Sequence, residues 1–143
     1  MCIRDRVMEI GSWDDDCLCL VGLEQKGFYT VSVKPCLGIF WKYTNEHWNG
    51  YFPVEGQTRG WIWEEIIFGQ TKEPDAAEVV CVVEEWKSDE NDWQEVGRYT
   101  IPVGENGFFS MVLDSSVPRS NNYVMKEIIC KNAAGEVIAV QAQ

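Results

Sequence analysis

Histidine is nearly absent from this chain: its 143 residues contain one, His47, with Glu46 beside it. A structural zinc site would then need four converging thiolates. Cys17 and Cys19, two positions apart, lack the C-x-x-C spacing of zinc and redox motifs. No G-x-S-x-G elbow and no glycine-rich phosphate loop occurs. The acid pairs Glu64–Glu65 and Glu84–Glu85 are sequence neighbours, which on a strand point to opposite faces and cannot oppose each other across a glycosidase cleft. The expectation is a chain that is not an enzyme and takes no cofactor, and a small hydrolase centred on His47 is the one catalytic reading left.

Basic residues are also scarce. Lys and Arg number 12 against 23 Asp and Glu, a formal charge of −11 that repels phosphate backbones and anionic headgroups. No apolar run approaches the roughly 18 residues of a bilayer span. Neither a nucleic-acid partner nor membrane insertion is expected.

Apolar residues make up 45% of the chain and aromatics 13%, enough for a packed core, and seven tryptophans run from Trp13 to Trp93. Short β-branched or aromatic runs punctuated by Gly, Pro, Asn and Asp predict strands near 17–23, 28–33, 37–43, 61–68, 78–86, 97–103, 108–113, 123–130 and 136–141. Asp75 and Glu78 offer a capping box for a helix over 74–86. Val79, Val80, Val82 and Val83 favour a strand there instead, because their rotamer freedom falls in a helix. Pro102 lacks an N–H to donate and predicts an outer strand or a bulge. Asn132–Gly135 reads as a hairpin turn, with Gly135 at positive φ.

Shifting the chain by 80 positions puts Trp13 on Trp93, Gly27 on Gly107, Phe28 on Phe108 and Tyr43 on Tyr123. GENGFFSMVLD at 104–114 then has a sibling in QKGFYTVSVKP at 25–35, suggesting two copies of one strand, turn, strand unit. The alternative is two ordinary hairpins within one jelly-roll-like sandwich of about 130 residues. The N-terminal MCIRDRV resembles translated sequencing-adapter read-through at the end of an environmental gene fragment. Residues 1–8 are therefore expected to be a non-native tail without function.

Cys81, Trp93 and Cys130 follow one another in the order and approximate spacing of an immunoglobulin-type sandwich. Trp93, Gly97, Tyr99, Gly107 and Phe109, followed by a closing strand pair around NAAGEV, resemble the small bacterial Ig-like modules of secreted and surface proteins. The resemblance covers 74–143. It implies a β-sandwich in which cysteines on facing strands flank a tryptophan, and hence a possible Cys81–Cys130 disulfide; buried free thiols are the other state. The expected organisation is all-β: an Ig-like β-sandwich at 74–143, preceded by a small β unit at 9–73 that is a truncated Ig-like repeat or part of the same sandwich.

Two groups of residues point to binding. Phe40, Trp41, Tyr43, Trp48, Tyr51, Phe52, Trp61 and Trp63 crowd into 24 positions. Trp61 and Trp63 share a strand face about 7 Å apart. With Trp48 and Tyr43 they form a candidate glycan platform; the same rings also suit a core or a protein-partner surface. Acidic turns at 13–17 and 88–95 make Asp89, Asn91 and Asp92 calcium candidates, although neither turn has EF-hand spacing and acidic turns serve as solvated faces. The functional expectation is a non-catalytic spacer, adhesion or protein-interaction module of a larger extracellular or cell-envelope protein. Its partners would be neighbouring β domains of the same polypeptide, or a glycan or surface protein, and the alternative reading is a carbohydrate-binding module.

Overall fold

The computed structural model of the chain describes residues 7–14, 17–24, 26–114, 117 and 122–143. Eleven strands lie among them: β1 Val7–Asp14, β2 Cys17–Glu24, β3 Gly27–Cys36, β4 Phe40–Tyr51, β5 Thr58–Trp63, β6 Ile66–Thr71, β7 Glu78–Lys87, β8 Asp92–Pro102, β9 Phe108–Val112, β10 Tyr123–Lys131 and β11 Val137–Ala142. A single 3-10 turn, Glu105–Gly107, precedes β9. The chain is all-β, and every strand pairing is antiparallel. No described helix is long and apolar enough to cross a membrane.

The strands form three sheets that do not close into a barrel. One is a meander, β1-β2-β3-β4; one has three strands, β5-β6-β9; one has four, β11-β10-β7-β8. From β5 onward the connectivity is a seven-strand sandwich in which the first, second and fifth strands share one sheet and the third, fourth, sixth and seventh share the other. Immunoglobulin-type sandwiches divide their strands the same way, except that in the constant type the fourth lies beside the fifth. Here the fourth, β8, stays beside the third, β7, over the whole hairpin from Glu78↔Pro102 to Lys87↔Asp92.

The three-stranded sheet is the middle layer. Every residue of β6 is buried, as period-two alternation requires of a strand covered on both faces. Ile67 points into a cluster with Val79, Cys81, Val83, Ile101, Phe109, Leu113, Met125, Ile128 and Cys130. Ile66 and Phe68 point the other way, to Val21, Leu23 and Phe28 of the meander, with Met8, Phe52, Trp61, Trp63 and Phe108 packed around them. A hydrogen bond from Ser110 Oγ to Glu9 Oε2, 3.0 Å, ties β9 to β1 across this second layer. Within the middle sheet β5 and β6 approach closely at the Gly60↔Gly69 pair: a Cβ on Gly69 would lie 2.2 Å from Arg59 O on β5 and 2.4 Å from the Phe109 ring on β9.

Several expectations hold. The valine-rich segment is β7, a strand. Pro102 ends β8, the outer strand of its sheet. The β10–β11 hairpin turns through Gly135 at φ +81°. Others are revised. The expected strand over 61–68 is a hairpin that reverses at Glu64, φ 52°. The boundary at residue 73 falls within one sheet, because β6 pairs with β9 from Ile66↔Val112 to Gln70↔Phe108. Val7 and Met8, assigned to the tail, belong to β1, and Met8 packs in the aromatic layer; residues 1–6 lie outside the described residues.

The offset-80 correspondence is not a repeated hairpin. β2 and β3 are paired neighbours, whereas β8 and β9 belong to different sheets. Gly107 has φ +78° and Gly27 does not adopt positive φ. The two glycines do share one property: an added Cβ would meet a carbonyl oxygen, Gly50 O at 2.1 Å or Thr71 O at 2.0 Å.

Candidate functional site: the aromatic hairpin and the sheet edges

The β3–β4 hairpin gathers the exposed rings. Its strands pair from Gly27↔Tyr51 to Cys36↔Phe40, and register slips at 28/29 and 32/33 bend the ribbon. Leu37 (φ 54°) and Gly38 (φ 74°) make the turn. Apolar side chains at the tip remain in solvent: Leu37 is 86% exposed, Ile39 77%, Phe40 61% and Trp41 57%. Behind them Lys34 sits directly opposite Lys42. Further along β4, Trp48 (41% exposed) and Tyr51 (60%) meet edge to face at 5.6 Å. β4 is the outer strand of the meander.

The four platform candidates do not share one surface. Trp61 is packed inside the aromatic layer, 5.1 Å from Phe28 and stacked on Phe68 at 5.9 Å, and half-buried Trp63 joins the same layer. Trp48 faces outward, and the Tyr43 side chain lies outside the described residues. Alternation put Trp61 and Trp63 on one face, as expected, but that face is covered by the meander. Leu37 and Ile39, exposed beside Phe40 and Trp41, lie in the run CLGIFW, where a turn glycine among apolar residues is the signal the sequence carries.

His47 lies in β4 opposite Thr30, with its imidazole exposed. Its backbone carbonyl accepts from Asn49 Nδ2 at 3.2 Å and from Thr30 Oγ1 at 3.5 Å. Two clefts among the described residues, one of about 590 Å³ between β5 and the β10–β11 hairpin and one of about 260 Å³ between β1 and the turn before β9, are not lined by His47.

Cys81 and Cys130 are free thiols. The resemblance implied facing strands, but β7 and β10 are neighbours in one sheet, and Cys81 pairs with Ile128 while Cys130 pairs with Val79. Trp93 is not against them; it packs edge to face on Trp86, its cross-strand partner, at 5.3 Å. Cys130 Sγ instead lies 3.2 Å from Thr58 Oγ1, which contacts Thr71 Oγ1 at 2.7 Å. Burial, and then the neighbouring Cys130, push the Cys81 thiol up to about 12. It is a protonated, unreactive core group.

Asp89, Asn91 and Asp92 form the exposed β7–β8 turn, with Asn91 at φ 51°. Asp92 Oδ1 accepts the Trp93 N–H at 2.8 Å, a local turn bond. No cluster of three or more His, Cys, Asp or Glu poised to hold a metal occurs among the described residues. Asp15 and Asp16 of the other acidic turn lie outside the described residues, as do the side chains of Cys17 and Cys19.

The Gln141 and Gln143 side chains hold the outer edge of β5. Gln141 accepts from Thr58 N–H (2.7 Å) and donates to Gly56 O (2.8 Å); Gln143 accepts from Gly60 N–H (3.0 Å) and donates to Thr58 O (3.2 Å). No protein-family model, curated protein or solved structure matches the chain.

Proposed function

We propose that the chain is a non-catalytic interaction module, an Ig-like spacer or adhesion unit of a larger extracellular or cell-envelope protein, whose contact surface is the β3–β4 hairpin. The observation that carries this reading is the exposure of Leu37, Ile39, Phe40, Trp41, Trp48 and Tyr51 on one ribbon. Aromatic residues are enriched where partners dock, and the exposed rings lie in two groups, at the tip and the base of the hairpin. The seven-strand Greek-key order supports the Ig-like assignment, and the packing of Phe28, Phe52, Trp61, Phe68 and Phe108 against one another supports a scaffold role.

A second reading is favoured by the Trp48–Tyr51 pair, whose indole and phenol are both accessible and could stack on a sugar ring while Asn49 takes hydroxyls. Tryptophan fluorescence titrated with a polysaccharide panel and with purified envelope proteins tests both. A spectral shift is expected in the intact chain, reduced in Trp41→Ala and Trp48→Ala and unchanged in Trp93→Ala. A glycan-only response selects the second reading. Hydrolysis of generic esters or glycosides that disappears in His47→Ala would replace both with an enzyme.

A further inference from the structure

The β3–β4 ribbon runs past the rest of its sheet. β2 pairs with β3 as far as Leu18↔Val33, whereas β3 and β4 continue to Cys36↔Phe40 before turning at Leu37 and Gly38. From Lys34 to Gly38, at about 3.3 Å per residue, the ribbon projects about 13 Å. Residues 34–42 are exposed throughout except for half-buried Cys36.

The projection differs in composition from the chain around it. Residues 25–45 hold three lysines and no Asp or Glu, in a chain of net charge −11. Leu37, Ile39, Phe40 and Trp41 form the tip, at 57–86% exposure, and Lys34 and Lys42 stand opposite each other directly behind Trp41. Asp14, paired with Cys17, lies two strands over at the level of the base. Phe40 and Trp41 are consecutive in β4, so their rings leave opposite faces of the ribbon. A folded partner would need a socket enclosing both faces. Fluid acyl chains surround such a wedge without one.

We infer that the hairpin tip inserts into one leaflet of a phospholipid bilayer that contains anionic lipid. The four apolar side chains enter the boundary between headgroups and acyl chains, and Lys34 and Lys42 extend their stems back to the lipid phosphates. The inference rests on the hairpin being the contact surface and names what it contacts. The net charge opposes close approach of the body to an anionic surface. The tip stands farther ahead of that body than the Debye length of about 8 Å at physiological ionic strength, so the acidic remainder is screened while the lysines reach the phosphates. The projection is too short to cross a hydrocarbon core of about 30 Å.

The test mixes the full chain with vesicles of phosphatidylcholine containing a minority of phosphatidylglycerol and measures co-sedimentation. Partitioning is expected. It should fall at least about tenfold when Ile39→Ser and Phe40→Ser are combined, at two exposed positions whose change leaves the urea midpoint unaltered. Lys34→Gln and Lys42→Gln should each weaken binding about fivefold, an effect absent on phosphatidylcholine alone. Depth is read separately: lipids brominated near the top of the acyl chain should quench tryptophan emission in the parent chain, and much less in Trp41→Phe, which still binds. Vesicle binding that survives the double change, or equal quenching in Trp41→Phe, would overturn the inference. An absence of vesicle binding would overturn it too. If a Trp41-dependent response to an envelope protein or a glycan is then retained, the hairpin remains a contact surface; if that response is also missing, both readings fall.

Discussion

The two buried layers that share the middle sheet are filled with different chemistry. Between β5-β6-β9 and the four-stranded sheet, the buried cluster is mostly branched aliphatics with Met125, two thiols and one buried ring, Phe109, and only Tyr99 and Tyr123 add partly buried rings at its margin. Between β5-β6-β9 and the meander it is mostly rings: Phe28 stands 5.0 Å from Phe52, 5.1 Å from Trp61, 5.7 Å from Phe68 and 6.0 Å from Phe108, at interplanar angles from 48° to 83°. Branched aliphatics interlock with the pleats of two facing sheets at ordinary spacing. Aromatic anchors instead concentrate contact in a few residues, as at an interface between separate bodies. The sandwich core is therefore distributed, while the meander is fastened through Phe28.

Emptying the centre of each layer gives the largest expected effect. Phe28→Ala and Phe109→Ala should each cost about 3–5 kcal/mol in denaturant unfolding. Phe→Leu separates the layers. At 109 a leucine re-enters an aliphatic pocket, whereas at 28 it gives up edge-to-face and tilted ring contacts worth about 0.5–1.5 kcal/mol each. Phe28→Leu should thus lose at least about 1 kcal/mol more than Phe109→Leu. Equal losses would erase the distinction between a distributed core and an anchored one.

The aliphatic layer also carries a pH signature. The Cys81 thiol ionises near 9.0 in the unfolded chain, and in the fold it is pushed up to about 12. Between those values the native state keeps a proton that the unfolded state releases. The stabilisation is fully present below pH 9 and is lost as pH climbs toward 12, at no more than about 1.4 kcal/mol per pH unit. Urea midpoints from pH 8 to 10.5 should fall more steeply in the parent chain than in Cys81→Ala. Parallel slopes would mean that the thiol is not held protonated in the core.

Gly69→Ala tests how tightly β6 sits between its neighbours β5 and β9 in the middle sheet. The methyl would overlap Arg59 O and the Phe109 ring, so a loss of about 1–3 kcal/mol is expected, read as a lower urea midpoint. Retained stability would mean that β5 can move away from β6 cheaply.

These contrasts mark what was legible in the chain. Val79–Val83 announced a strand because four β-branched residues outweigh a cap, and Pro102 announced an outer strand because it lacks a donor. The reversal at Glu64 carried no Gly, Pro, Asn or Asp, so β5 and β6 read as one strand. Pairing of β6 with β9 joins residues about 40 positions apart and leaves no local trace, which is why the boundary at 73 split a sheet. Trp61 and Trp63 illustrate the limit for the site: alternation shows that two rings share a face, and only the packed meander shows that the face is covered. The rings that stay exposed lie on β4, at the tip and the base of the β3–β4 hairpin, and the strand pattern alone does not distinguish them from the covered ones.

The smallest effect belongs to the charged outer face of the four-stranded sheet, away from both layers. Lys126 Nζ contacts Glu84 Oε1 at 2.7 Å across β10 and β7, and the carboxylate beside it holds the lysine above its ordinary range. The ammonium is half exposed, and water and salt replace much of what the pair offers. Lys126→Met should leave the urea midpoint unchanged, in low and in moderate salt alike. Glu84 is the more covered partner, at 15% exposure, so it is the residue through which the expectation can fail. If its carboxylate depends on the lysine for solvation, the Lys126→Met midpoint will drop and Glu84→Gln in the same background will restore it. That restoration would make the outer face a third contributor to stability beside the aliphatic and aromatic layers.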